Sequence, residues 1–200
     1  MKRGSKTGLA NMGEVMNDLE LLAELIEDIG HDLRPEIEPL TLDELAWQPG
    51  SQANPIGVTL WHMARGLDLL AVRFLQNQPP EEDLWHTRGW RMKTGYDPRG
   101  IGYGGWGVVT GYTWEEVLAI PSLTSVELLE YLEQACQTAS AQVRRLTSEA
   151  ARQPAPGLMG GKLTYYRWIK EFYKGFQAHV GEIMAIKALM ARQKSGGSSA

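Results

Sequence analysis

Four stretches of this chain repeat apolar residues every three or four positions, and none alternates apolar with polar residues as a strand would. That period belongs to an α-helix with one face turned inward. The first stretch, residues 14–34, carries Val15, Leu19, Leu22, Ile26, Ile29 and Leu33 on one stripe. The second, 54–76, carries Ile56, Leu60, Met63, Leu67, Leu70 and Phe74. The third, 125–147, carries Val126, Leu129, Leu132, Cys136, Ala139, Val143 and Leu146. The fourth, 163–192, carries Tyr165, Trp168, Phe172, Phe176, Ile183, Ile186 and Met190. Four amphipathic helices bury their stripes most simply against one another, so the expected fold is all-α, a four-helix bundle.

Local signals mark where the helices stop and start. Pro35 and Pro39 are expected to end the first helix. Thr41 and Glu44 form a capping-box pattern for a short turn, and Thr113 to Glu116 repeats it. Asn54 followed by Pro55 reads as an N-cap with proline in the first helical position. Between 81 and 112 periodicity gives way to a long loop rich in Gly, Trp and Tyr, a length that suits a crossover between parallel second and third helices in an up-down-down-up order. The expected division is a flexible segment 1–12, a bundle over 13–193 and a disordered tail 194–200 of linker composition.

Bulk properties exclude several functions. A net charge of −4 without a basic cluster argues against nucleic-acid binding. No run of 18 apolar residues is present, so no span of a membrane is expected. Lys2, Arg3 and Lys6 are followed by small and polar residues, not by the apolar core of a signal peptide. Cys136 is the single cysteine and reads as a small core residue; a chain without disulfides fits the reducing cytoplasm. The letters G-x-G-x-x-G occur at Gly102 to Gly107 but lack the strand and helix that a dinucleotide site needs.

Histidine is the residue to follow, because four occur. His179 lies mid-stripe on the last helix and His62 near the edge of the second helix's stripe, each needing a polar partner. His31 projects away from its stripe, toward solvent. His86 lies in the aromatic loop with Trp85, Arg88, Trp90, Tyr103 and Trp106, residues that either line a pocket as a lid or cap the bundle end.

Leu45-Ala46-Trp47-Gln48-Pro49, the helix start Asn54-Pro55-Ile56-Gly57, Leu60-Trp61-His62-Met63-Ala64, and His179-Val180-Gly181-Glu182-Ile183 together resemble the motifs of the DinB-like superfamily, over about residues 14 to 192. The resemblance implies a DinB-like bundle and a divalent metal, zinc or nickel, held by one histidine of the second helix and two of the last, spaced four apart. His62 and His179 match the first and third places, but Gly175 stands in the second and has no side chain to offer. A carboxylate from Glu182, Glu171 or Asp68 is the expected substitute. The resemblance further implies a metal-dependent enzyme acting on a small molecule, of hydrolase or thiol-dependent transferase or isomerase type. The alternative is a non-catalytic bundle that binds a small ligand or a partner after losing the metal at Gly175. A homodimer is expected on the ground that such apolar helices commonly associate.

Overall fold

The computed structural model describes residues 18–51, 53–155 and 162–196. Segment 1–12 and residues 197–200 of the expected tail lie outside them. Four long helices form the bundle: α1 (Asp18–Ile37), α3 (Ile56–Asp68), α7 (Ser125–Arg145) and α9 (Tyr165–Gly196). Short helices join them: α2 (Leu42–Ala46), α4 (Leu84–Thr87), α5 (Trp90–Thr94), α6 (Trp114–Leu118) and α8 (Ser148–Ala151). Among the described residues there is no strand, only an isolated bridge between Pro154 and Thr164. None of the described helices is long and apolar enough to cross a membrane.

Side-chain contacts fix the helix directions. Arg34 pairs with Glu133 while Arg144 reaches Glu20 and Glu27, so α1 and α7 run antiparallel. Gly57 lies against Leu128 and Asp68 against Tyr131, so α3 and α7 run parallel. His62 meets His179 and Gly66 meets Phe176, so α9 opposes α3; Lys187 on Glu36 sets it alongside α1. The order is up-down-down-up. Because α3 and α7 point the same way, the chain must travel the length of the bundle between them.

Caps form where threonine precedes glutamate by three. Thr41, Thr113 and Thr124 each accept a hydrogen bond from the amide three residues on, and each paired glutamate carboxylate accepts one from the threonine's own amide. Three details differ from the sequence-based expectation. α1 continues through Pro35 to Ile37, since a proline in the last turn forfeits a single hydrogen bond. α3 starts one residue late, with Pro55 and not Asn54 at the N-cap. Beyond Asp68 the second helix changes to π-winding over Leu69–Leu75.

The crossover is a folded layer, not an open loop. Arg65 and Asp68 are the guanidinium and carboxylate charges of a largely apolar α3, and both are fully buried. Arg65 pairs with Asp68 (2.8 Å) and with Asp83 (3.1 Å), and donates to the carbonyl oxygens of Trp106 and Gly107. Asp68 accepts from the amides of Leu84 and Trp85 and from the Tyr131 hydroxyl. Both ends of the crossover are thereby tied to one point on α3. Around that point Trp61, Trp85, Trp90 and Tyr96 pack edge to face or stacked, and the Tyr131 ring lies tilted against Trp85 and Trp90.

Arg65 faces two buried carboxylates, and Asp83 Oδ1 has no hydrogen-bond partner among the described residues. Burial raises the Asp83 carboxyl from 3.8 to about 6. An acid raised on folding contributes stability that is complete below its unfolded pKa and lost as pH rises through the folded value. Asp83→Asn mimics the protonated acid, so its stability relative to wild type should grow between pH 4 and 6, on the order of 2–3 kcal/mol. Urea denaturation of both proteins across that window checks it, and a pH-independent difference refutes it. Arg65→Met, which removes the cation that faces both buried carboxylates, should cost about 3–5 kcal/mol in the same assay at neutral pH.

Candidate functional site

α3, α9 and the glycine-rich end of the crossover enclose a cleft of about 770 Å³, within the range of small-molecule sites. Leu69, Trp106, Trp168, Phe172 and Phe176 line its walls, and His62 and His179 also face it. Gly66 permits this geometry: a Cβ there would fall 2.9 Å from the Phe176 ring, so α9 could not approach as closely.

The imidazoles of His62 and His179 sit edge to face with centroids 4.9 Å apart. His62 Nδ1 bonds the carbonyl oxygen of Val108, and His179 Nδ1 lies 2.9 Å from a Glu182 carboxylate oxygen. Both partners accept, so both Nδ1 atoms carry a proton, and the other nitrogen of each ring, Nε2, is not engaged by these partners. Burial, and then the nearby His179, lower His62 to about 4, so at neutral pH it is uncharged. Fixing one imidazole nitrogen so that the other is presented is also how proteins orient metal-ligating histidines.

The Val108 carbonyl is held by an unusual backbone. Val109 has φ of 69°, a left-handed conformation that a β-branched residue adopts only at a cost of about 1–3 kcal/mol. The adjoining Trp106 and Gly107 carbonyls are held by Arg65. The cluster that anchors the crossover therefore also sets the carbonyl that orients His62.

The carboxylates expected to complete a metal site go elsewhere. Glu182 engages Nδ1 of His179, the side of the ring away from Nε2. Asp68 is committed to Arg65, Tyr131 and two amides. Glu171 lines the cleft two turns before His179 and pairs with Lys174 at 3.0 Å. Among the described residues, no group of three or more His, Cys, Asp or Glu side chains is disposed to hold a metal ion. The donor set supplies two imidazoles and no third ligand, so a three-ligand centre does not fit it.

Gly175 sits one turn before His179 and lines the cleft, and a Cβ built there meets nothing within 4 Å. Its backbone is helical, so neither crowding nor an unusual φ requires glycine.

The aromatic loop divides in two. Tyr103 and Trp106 line the cleft, with Trp106 against Phe74 and Tyr103. Trp85 and Trp90 are core residues, 0% and 4% exposed, so the lid expected of them is instead the floor on which the crossover rests. His86 bonds Asp97 within a surface charge network, and Arg88 is exposed; neither reaches the cleft. His31 is exposed, as its phase on α1 implied. Sequence reasoning did not find Val108 or Val109, whose roles come from a backbone carbonyl and a torsion angle.

Among curated proteins none shows a significant match to the sequence. The structure is similar to the crystal structure of a conserved protein from Enterococcus faecalis, with a TM-score of 0.73 and 16% identity over 88% of this chain and 98% of that one. At that identity the likeness shows the fold alone. A family model described as the DinB superfamily matches residues 25–182, a span that holds the crossover, the cleft and both histidines, and the chain belongs to that superfamily.

Proposed function

We propose that the protein binds a small aromatic molecule in the cleft between α3 and α9, with His62 and His179 as the polar end of the site and without a metal centre built by the chain alone. The observation that carries this reading is Gly175. Glycine inside a helix costs roughly 0.5–1 kcal/mol relative to alanine, and here no packing or torsion recovers that cost. What it leaves is open space beside a paired imidazole and among aromatic walls. The walls supply apolar area to a flat ligand, and the two Nε2 atoms supply its directional contacts.

Binding of indole, followed by isothermal titration calorimetry, tests this. Gly175→Ala should raise unfolding stability by about 0.5–1 kcal/mol and weaken indole binding, and Gly175→Phe, which fills the space, should abolish it. A wild type that binds no indole, or a Gly175→Phe variant that binds it as well as wild type, refutes the reading.

A second reading, the metal-dependent enzyme of hydrolase or thiol-dependent transferase or isomerase type, is favoured by the protonation pattern, since both Nδ1 atoms have the acceptors that metal-binding histidines use. It requires a ligand that no residue among those described is disposed to provide. Wild type should therefore release zinc or nickel on gel filtration, whereas Gly175→His, which places two imidazoles four residues apart, should retain close to one equivalent. Elemental analysis reads the outcome, and a full equivalent kept by wild type would establish the metal reading over the first.

A further inference from the structure

The end of the cleft away from the histidines is built from ring faces and one carboxylate. Glu171 precedes His179 by two turns of α9, about 12 Å along the axis at 1.5 Å per residue. That exceeds the Debye length of about 8 Å at physiological salt, so what binds beside Glu171 depends little on the protonation of the imidazoles. Trp168 and Phe172 flank Glu171 on the helix and touch each other, ring centroids 5.2 Å apart. Phe74 joins Trp168 to Trp106, and Tyr103 packs on Trp106. All four contacts are edge to face. Each covers one face of one ring, so faces remain that no aromatic neighbour covers.

The charge at this end has one sign. Among the described residues, no lysine or arginine lines the cleft, and Glu171 is its one carboxylate. The hydrogen bond from Lys174 holds the Glu171 carboxyl below its usual range, so it is ionised at neutral pH. That pair lies at the surface, its side chains 63% and 38% exposed, and such a pair yields readily to a competing cation. The hydroxyls of Tyr103 and Thr110 also line the cleft; each is neutral and can turn a lone pair toward a positive group. Ring faces beside a carboxylate favour a cation. Hydration decides which kind. A primary ammonium must replace the hydrogen bonds it made to water, and this end offers it few acceptors. A quaternary ammonium has no N–H to satisfy and buries its methyl groups against the rings.

We infer that the Glu171 end of the cleft takes the quaternary ammonium head of a small aromatic molecule, seated among Trp106, Trp168 and Phe172. This rests on the cleft being a small-molecule site, and the test separates the two claims. The probes 3-hydroxyphenyltrimethylammonium and 3-tert-butylphenol share one shape and differ in the charged nitrogen, while indole reports on the cleft itself. Each is titrated calorimetrically into the full chain at physiological salt, with the indole N–H signals of Trp106 and Trp168 followed by NMR.

The ammonium probe should bind at least about ten-fold more tightly than 3-tert-butylphenol and shift both indole signals. Glu171→Gln should cut that ratio at least about three-fold, and Lys174→Ala, which frees the carboxylate, should raise it about two-fold. Glu24→Gln removes the same charge from an exposed position on α1 and should leave the ratio unchanged, which separates a local site from the chain's net negative charge. A ratio below about ten-fold, unmoved indole signals, no gain in Lys174→Ala, or equal losses in Glu171→Gln and Glu24→Gln overturn the head-group assignment, while indole binding keeps the cleft reading. If no probe binds, indole included, both are overturned.

Discussion

Arg65 is the point on which the crossover depends. A parallel α3 and α7 force the chain across the length of the bundle, and such a passage keeps one conformation only if something inside the bundle holds it. Arg65 and Asp68 do so from α3: they hold Asp83 and the amides of Leu84 and Trp85 at one end and the Trp106 and Gly107 carbonyls at the other. Buried charge is costly, and a single guanidinium shared between two carboxylates is not an arrangement that maximises stability. Its benefit is position. The same stretch of backbone that Arg65 grips leads directly to Val108, whose carbonyl fixes His62. The cluster therefore connects the architecture to the site: what anchors the layer over the core also determines which imidazole nitrogen faces the cleft.

The histidine pair shows how little of a site's chemistry depends on residue type alone. Two imidazoles in contact could share a proton, repel one another when charged, or grip an ion. Here the acceptors on both Nδ1 atoms set the orientation: each ring is held through Nδ1, and burial keeps His62 uncharged. Glu182 illustrates the point from the other side. Three residues after His179 it lies within reach of an ion bound by that ring, yet it bonds the opposite nitrogen and orients the ring instead.

The bundle was legible because its signal is periodic and redundant: each stripe spans several turns, and a misplaced boundary changes nothing about the face it buries. The threonine–glutamate caps were legible because their chemistry is local. The pairing of His62 with His179 was anticipated through the resemblance of two short motifs, and the helix directions realise it. What the sequence concealed was the interior of the crossover. Trp85 and Trp90 lie in a stretch without period, where an aromatic residue destined for the core reads the same as one destined for a lid. The usable signal lay in α3: Arg65 and Asp68, three apart, are its charges among apolar neighbours, a pattern that marks a buried pair awaiting partners from elsewhere. Val108 could not have been found in this way, because its contribution is a carbonyl oxygen and any residue has one.

Two glycines on facing helices show why a missing side chain has no single meaning. Gly66 is glycine because Phe176 occupies the place its Cβ would take, so the absence serves packing. Gly175 has no such neighbour, and its backbone suits any residue. Alanine at 66 would push α9 away, whereas alanine at 175 would meet nothing and would strengthen the helix. A position where the more stabilising residue fits freely and is not used is one where stability alone does not account for the choice. Open volume beside His179 is the other thing glycine provides there, and it lies between the aromatic walls and the two imidazoles. The side chain that the resemblance would place at 175 as a metal ligand would occupy the volume that glycine leaves open there.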